Sequence, residues 1–327
     1  VIGIYDSFGA HIDEGVDALE AYGSIIKSAG NLSGVVPQIS VVAGTCIGSA
    51  AVLASLADVV IIEKDADFYI SNEEAKCNTA ALIADDDLEA MNLAVQVLSY
   101  LPSNNLSDPI FTDYVAASNS EDSLLNNVDN NSFLELNKDK GKTIVTGFAR
   151  IGGSPVGIVK TSTDIKDGYF CPCAAKKAAH FIRLCDSFSL PIVTFVDSNG
   201  LSVTDACKND DSVKAIAMLT SAYSEATTAK ISVITGNAFG AAYISFVSSA
   251  SNPDFVYAWS SSVIGNLEPM TAVQFSYKDR LAAGEERSVL EEEYKNTVCS
   301  PINAAAKGYI NDVTAPEETA SKLISAL

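Results

Sequence analysis

The chain repeats itself, and that restricts its fold more than any other feature. VIGIYDSFG at 1–9 aligns with IVTFVDSNG at 192–200, and ISVVAGTCIGSAA at 39–51 aligns with ISVITGNAFGAAY at 231–243. The interval is conserved too: Asp6 precedes Ile39 by 33 residues, and Asp197 precedes Ile231 by 34. In each copy an apolar strand should end at Gly44 or Gly236, with a second glycine four positions on, at Gly48 or Gly240. Between the blocks, helices are expected over 14–27, with Val16, Leu19, Ile25 and Ile26 as apolar contacts, and over 211–226. Parallel strands need crossover connections, so strands alternating with helices predict α/β architecture in two similar halves. The halves read as 1–105 and 141–327, joined by a linker at 106–140 rich in Asn, Ser and Asp. In the second copy KTIVTGFAR (142–150), SPVGIVK (154–160) and a helix over 173–190 precede the repeated strand. The first copy begins at the strand itself. The first half therefore reads as truncated at its N-terminus, with about 50 further residues, a strand pair and a helix, expected by analogy.

The stretch ISVVAGTCIGSAAVLASLAD (39–58) allows three readings. Its first nineteen residues carry no charge, as in a membrane helix. Gly44-Thr45-Cys46-Ile47-Gly48 matches a nucleophile elbow with cysteine as the nucleophile. The third reading is a strand, a glycine turn and a helix whose first N–H groups face a ligand. The second copy has Asn237 and Ala238 at the positions of Thr45 and Cys46, and the chain holds only two histidines, His11 and His180. Both points disfavour a cysteine nucleophile, which needs a base. Tight packing turns with no ligand are the bland alternative.

With 41 acidic against 21 basic residues and a net charge of −20, the chain has no means of holding a phosphate backbone, so nucleic-acid binding is excluded. Any anion must be held by local lysines or helix N-termini. Seven scattered cysteines, with Cys171-Pro172-Cys173 lacking a second pair, argue against zinc and fit a reducing cytoplasm.

Laid out in order, these segments resemble the carboxyltransferase subunits of biotin-dependent acyl-CoA carboxylases and decarboxylases, of the crotonase superfamily. The likeness runs from VIGIYDSFGAHIDEGVDALEAYG through SGVVPQISVVAGTCIGSAA, GFARIGGSPVGIV (147–159), AAKKAAHFIRLCDSFSLPIVTFVDSNG (174–200) and AYSEATTAKISVITGNAFGAAY (222–243) to SPINAAAKGYINDVTAPEETASKL (300–323). It implies two crotonase-like ββα-superhelix halves, the first facing acyl-CoA and the second facing biotin on a carrier protein. The implied reaction moves a carboxyl group between biotin and the α-carbon of an acyl-CoA, of the propionyl-CoA/methylmalonyl-CoA or acetyl-CoA/malonyl-CoA type. Two oxyanion holes made of backbone N–H groups would stabilise the charges. Carried over by position, Gly48 and Ser49 match the thioester hole, and Ala241 and Ala242 match the biotin hole. Gly9, Ala10, His11, Gly44, Lys176, Lys177, Gly200 and Gly240 match substrate contacts, the lysines toward CoA phosphate. No metal is implied. The resemblance further implies a cytoplasmic homo-hexamer, a trimer of dimers, with biotin carboxyl carrier protein and either biotin carboxylase or a membrane decarboxylase subunit as partners.

The chain departs from the family pattern S-G-G-A-R-I-x-E-G, reading Ser7-Phe8-Gly9-Ala10-His11-Ile12-Asp13-Glu14-Gly15, and has Asn199 where a proline is usual. Two other functions fit the same residues. One is the α-subunit of a sodium-pumping glutaconyl-CoA or methylmalonyl-CoA decarboxylase. The other is a catalytically weakened homologue with a structural role.

Overall fold

β-Branched runs become strands here, and the central ones, at 39–42, 59–62, 192–196 and 230–234, are covered on both faces. The computed structural model describes residues 1–70, 79–117, 120, 122–201 and 212–327, and only the backbone of Lys166. In the first half, β1 (Ile2–Ser7), α1 (Val16–Leu32), β2 (Ile39–Ile47), α2 (Ser49–Ala54), β3 (Val59–Glu63), β4 (Phe68–Tyr69) and β5 (Leu82–Ala84) form crossover units. The sheet is parallel, ordered β1-β2-β3-β5, with β4 on the end of β2. α3 (Asp87–Tyr100) then packs back over β2, β3 and β5. Asp86 caps it, accepting from Glu89 N–H on Oδ1 at 2.8 Å, and Glu89 Oε2 reaches back past the cap to accept from Asp85 N–H at 2.5 Å.

The second half is larger. Along the chain come β6 (Leu134–Leu136), β7 (Ile144–Ile151), β8 (Ser154–Thr161), β9 (Tyr169–Phe170), α4 (Pro172–Ser187), β10 (Ile192–Ser198), β11 (Gly200–Leu201) and α5 (Ser212–Glu225). Then follow β12 (Lys230–Phe239), α6 (Ala241–Phe246), β13 (Phe255–Trp259) and β14 (Val263–Gly265). The chain closes with α7 (Pro269–Ser276), α8 (Lys278–Ala282), α9 (Arg287–Thr297), α10 (Pro301–Ala306), β15 (Asp312–Thr314) and α11 (Thr319–Ala326). The main sheet runs β15-β13-β12-β10-β8-β7-β6, with β14 on the end of β12. It is parallel except for the antiparallel β6-β7-β8 edge. The hairpin and helix read before the second repeated strand are thus β7, β8 and α4. β10 pairs on both sides, with β8 and β12, whereas β1 pairs with β2 alone among the described residues.

The strands of the two halves lie in different sheets, yet one core joins them. Ile39, Val41 and Ile61 of the first sheet share a buried cluster with Phe148, Phe181, Ile192 and Ile234 of the second half. Arg150 fastens the seam. Its guanidinium is buried, lies over the Tyr100 ring at 5.4 Å, and donates to Ser99 O (2.6 Å), Ile110 O (2.8 Å) and Gly153 O (3.0 Å). Asp129 ties the connector to the β7–β8 turn, its carboxylate accepting from Gly152 N–H at 2.8 Å and Gly153 N–H at 2.7 Å.

Three sequence expectations need correction. The linker at 106–140 is not all connector, since Leu134–Leu136 pairs with β7 and extends the second sheet. α1 starts at Val16, because Gly15 sits at φ 54° and ψ −126°, outside helical conformation. The repeated strands do not stop at Gly44 and Gly236. They continue to Ile47 and Phe239 beyond a register shift opposite Tyr5/Ser7 and Val196/Ser198.

Candidate active site

Each long strand ends on a conformation open only to glycine. Gly48 (φ 60°, ψ −127°) and Gly240 (φ 49°, ψ −114°) are the N-caps of α2 and α6, in a region that side chains disfavour by about 1–3 kcal/mol. Their own N–H groups are already used, by Tyr69 O at 3.0 Å and Gly265 O at 3.1 Å. This corrects the expectation for Gly48, whose N–H serves the fold. The next N–H groups, of Ser49 and Ala241, open helices and have no carbonyl one turn back. Outside their own helices no described residue accepts from either. Ser49, Ala241 and Ala242 all avoid positive φ, so their side chains cost nothing at these positions.

A second loop crosses each turn. Gly9 has φ 87°, and a Cβ there would lie 2.8 Å from Ile47 O and 3.6 Å from Ser49 N. Gly200 has φ 115°, and its Cβ would lie 3.5 Å from Phe239 O. Gly9 N–H donates to Ser7 Oγ, and Gly200 N–H to Ser198 Oγ, each at 3.2 Å. The structure therefore brings Gly9 to Ser49, and Gly200 to Phe239 and the helix that Ala241 opens.

A carboxylate that the sequence reading passed over sits beneath each turn. Asp6 Oδ1 accepts from Thr45 N–H at 3.0 Å, and Asp197 Oδ1 accepts from Asn237 N–H at 2.8 Å. These contacts explain Gly44 and Gly236: a Cβ would fall 2.6 Å from Asp6 Oδ1 or 2.2 Å from Asp197 Oδ1. Gly44 makes room for Asp6. Asp197 also accepts from Thr163 Oγ1 at 2.8 Å, while its own N–H donates to Thr161 Oγ1 at 2.8 Å. The available signal was the Asp-Ser-x-Gly shared by 6–9 and 197–200.

Cys46 is fully buried, burial pushes its thiol up to about 11, and its N–H donates to Asp67 O at 2.8 Å. No described histidine bonds it, so the elbow reading fails. The membrane reading fails as well, because 39–54 folds as strand, turn and helix, and no described helix is long and apolar enough to cross a membrane. His11 stands exposed, with Nδ1 4.0 Å from Asp13 Oδ2.

The second turn opens on a cavity of 280 Å³ lined by Gly240, Tyr243, Asn266 and Asn303 among others. Exposed Ile244, Met270 and Ile302 stand in or near this part of the chain, while Phe8, Ile12, Val16 and Ile70 stand exposed on the segments that flank the first turn. Lys176 and Lys177 lie elsewhere. They line a cavity of 530 Å³ with Lys140, His180 and Asp58. Asp58 Oδ2 accepts from Gln38 N–H at 2.8 Å, and Ser55 and Leu56, which follow α2 directly, line the same cavity. Lys177 is 5% exposed and donates to Asn137 O at 3.4 Å. Burial pushes its ammonium down to about 8, against the opposing pull of Glu135, Cys171 and Cys173. Among the described residues no group of His, Cys, Asp and Glu could hold a metal ion.

Residues 1–73 and 76–327 match the family model of the carboxyl transferase domain. The chain belongs to the carboxyl transferase family. It is 33% identical to the propionyl-CoA carboxylase carboxyltransferase subunit of Haloferax mediterranei, over 100% of this chain and 72% of that one. It is 31% identical to the methylmalonyl-CoA decarboxylase subunit alpha of Veillonella parvula, over 100% of this chain and 72% of that one. Among solved structures it superimposes on a chain of a transcarboxylase 12S structure, described as a hexamer assembly with methylmalonyl-CoA and methylmalonic acid bound. The TM-score is 0.93 and the identity 32%, over 100% of this chain and 71% of that one.

Proposed function

We propose that the chain transfers a carboxyl group between biotin, carried on a partner protein, and the α-carbon of an acyl-CoA of the propionyl-CoA/methylmalonyl-CoA class. The observation that carries this reading is the matched pair of turns. At each, a glycine cap presents one N–H at the start of a helix, at Ser49 or Ala241, beneath a glycine loop at Gly9 or Gly200. Ser49 N–H is placed to receive the thioester oxygen as negative charge develops during loss or gain of the α-carboxyl. Ala241 N–H, with Ala242 behind it, is placed to receive the ureido oxygen of biotin. A preorganised backbone donor of this kind contributes about 3–4 kcal/mol to the transition state. The 280 Å³ cavity with Asn266 and Asn303 suits a neutral polar bicycle. Biotin supplies a nitrogen that accepts and releases the carboxyl group. The chain supplies position and charge stabilisation.

The equal registers, equal bulges and paired Asp–Gly contacts support reading the two halves, 1–105 and 141–327, as copies of one crotonase-like unit. Each half presents one turn, and exposed apolar side chains accompany both. This supports a homo-oligomer, a trimer of dimers, in which the first turn of one copy faces the second turn of another. The likeness to the Veillonella subunit supports a second direction, decarboxylation coupled to a membrane partner, on the same residues. The test is incubation of purified protein with methylmalonyl-CoA and free biotin, following propionyl-CoA release. Biotin-dependent release is expected; its absence across malonyl-, methylmalonyl- and glutaconyl-CoA would favour the structural-homologue reading.

A further inference from the structure

Cys171-Pro172-Cys173 belongs to neither turn. Cys171 is the N-cap of α4 and Cys173 its second residue. Their sulfurs lie 2.8 Å apart, less than an ångström beyond the ~2.05 Å of a disulfide bond. Local chain geometry holds them there. Proline at the first helical position fixes φ, Cys171 N–H donates to Thr143 Oγ1 at 3.0 Å, and that hydroxyl lies 3.5 Å from Cys171 Sγ. Cys171 is buried, while Cys173 is half-exposed. The opening N–H groups of α4 and, one turn beyond Cys173, Lys177 lie at this end of the helix. Phe170, immediately upstream, pairs with Leu201 and packs its ring 5.6 Å from that of Phe246 in α6, so the pair sits behind the second turn.

We propose that Cys171 and Cys173 form a reversible dithiol–disulfide pair, oxidised by a low-molecular-weight disulfide of the glutathione class. Cys173 is the accessible thiol and reacts first. As thiolate it attacks one sulfur of the small disulfide, forming a mixed disulfide and expelling one thiolate. Cys171, adjacent and buried, then attacks Cys173 Sγ and expels the second. Two protein thiols lose two electrons and two protons, and the small disulfide becomes two thiols. The remaining described cysteines compete poorly, being buried: burial pushes Cys46 and Cys299 up to about 11 and Cys185 up further. Cys77 and Cys207 lie outside the described residues.

The test equilibrates the folded protein in glutathione buffers of increasing disulfide content, alkylates the remaining thiols and maps peptides by mass. It reads thiols alone, so it stands whether or not carboxyl transfer is observed. The wild type should lose both thiols together, with the 171–173 peptide lighter by two hydrogens and restored by excess glutathione. Cys171→Ser, which keeps a good N-cap, should stop with one glutathionyl group on Cys173. Cys173→Ser should leave Cys171 alkylatable in the same buffers. Circular dichroism confirms that both variants fold. Three results would each overturn the proposal. They are a bond from either sulfur to Cys77 or Cys207, a mixed disulfide that persists in the wild type, and both thiols staying reduced at every ratio.

Discussion

Asp6 and Asp197 do at single-residue scale what a ladder carbonyl does elsewhere: each accepts the N–H that the register shift strands at Thr45 or Asn237. The two sites differ in what else they hold. Asp197 also takes the Thr163 hydroxyl, in a half-buried setting, whereas Asp6 has the single exposed bond. Asp197→Ala should therefore cost about 1–3 kcal/mol in urea unfolding and Asp6→Ala about 1 kcal/mol or less; the reverse order would contradict this account. Lys177 gives a pH signature. Its native ammonium loses its proton near 8 while the unfolded chain keeps it to 10.5. Between those values the unfolded state binds more protons, so stability rises with pH, and the burial penalty stands in full below pH 8. Lys177→Met should be more stable than wild type at pH 7 by up to about 3 kcal/mol. Urea titrations should show that advantage shrinking as pH rises toward 10.5, and a constant gap would contradict the assignment. The glycines at 48 and 240 were legible because they recur four residues after another glycine. The aspartates were not, because their contacts bridge 39 and 40 residues of chain.

Among the elements, strands and helices with clear periodicity were readable in advance: β7 and β8, α4, and the crossovers α1 and α5. Short pieces that pair over long range were not. β4, β6 and β14 carry two or three residues each, too few for alternation to show, yet β4 and β14 supply the carbonyls that hold Gly48 and Gly240. Glycine turns were read as strand ends because a register shift leaves no mark in hydropathy. The seam depends on Arg150, which ties the end of α3, the connector at Ile110 and the β7–β8 turn. Arg150→Met keeps the bulk but leaves three carbonyls without that donor, and buried unsatisfied groups cost about 1–3 kcal/mol each. Unfolding of the variant should shift by more than about 2 kcal/mol, with limited proteolysis opening first in 106–133. A loss below 0.5 kcal/mol would mean the seam is held elsewhere.

At the scale of the molecule, each half presents one donor turn, while the proposed reaction develops charge on two groups at once. One site then needs both turns, and the account places them on different copies. Gly48→Val and Gly240→Val should each abolish transfer alone, because neither φ tolerates a β-branched side chain. Circular dichroism and light scattering should find both variants folded and assembled. Co-expressed in equal amounts, they should regain activity. Half of the facing pairs combine one variant of each kind, and in each such pair one of the two sites has both turns intact. The mixture should therefore recover about a quarter of wild-type turnover in methylmalonyl-CoA decarboxylation with free biotin. Continued inactivity in verified mixed oligomers would contradict a site shared between copies, and full activity of either variant alone would contradict the role of its turn.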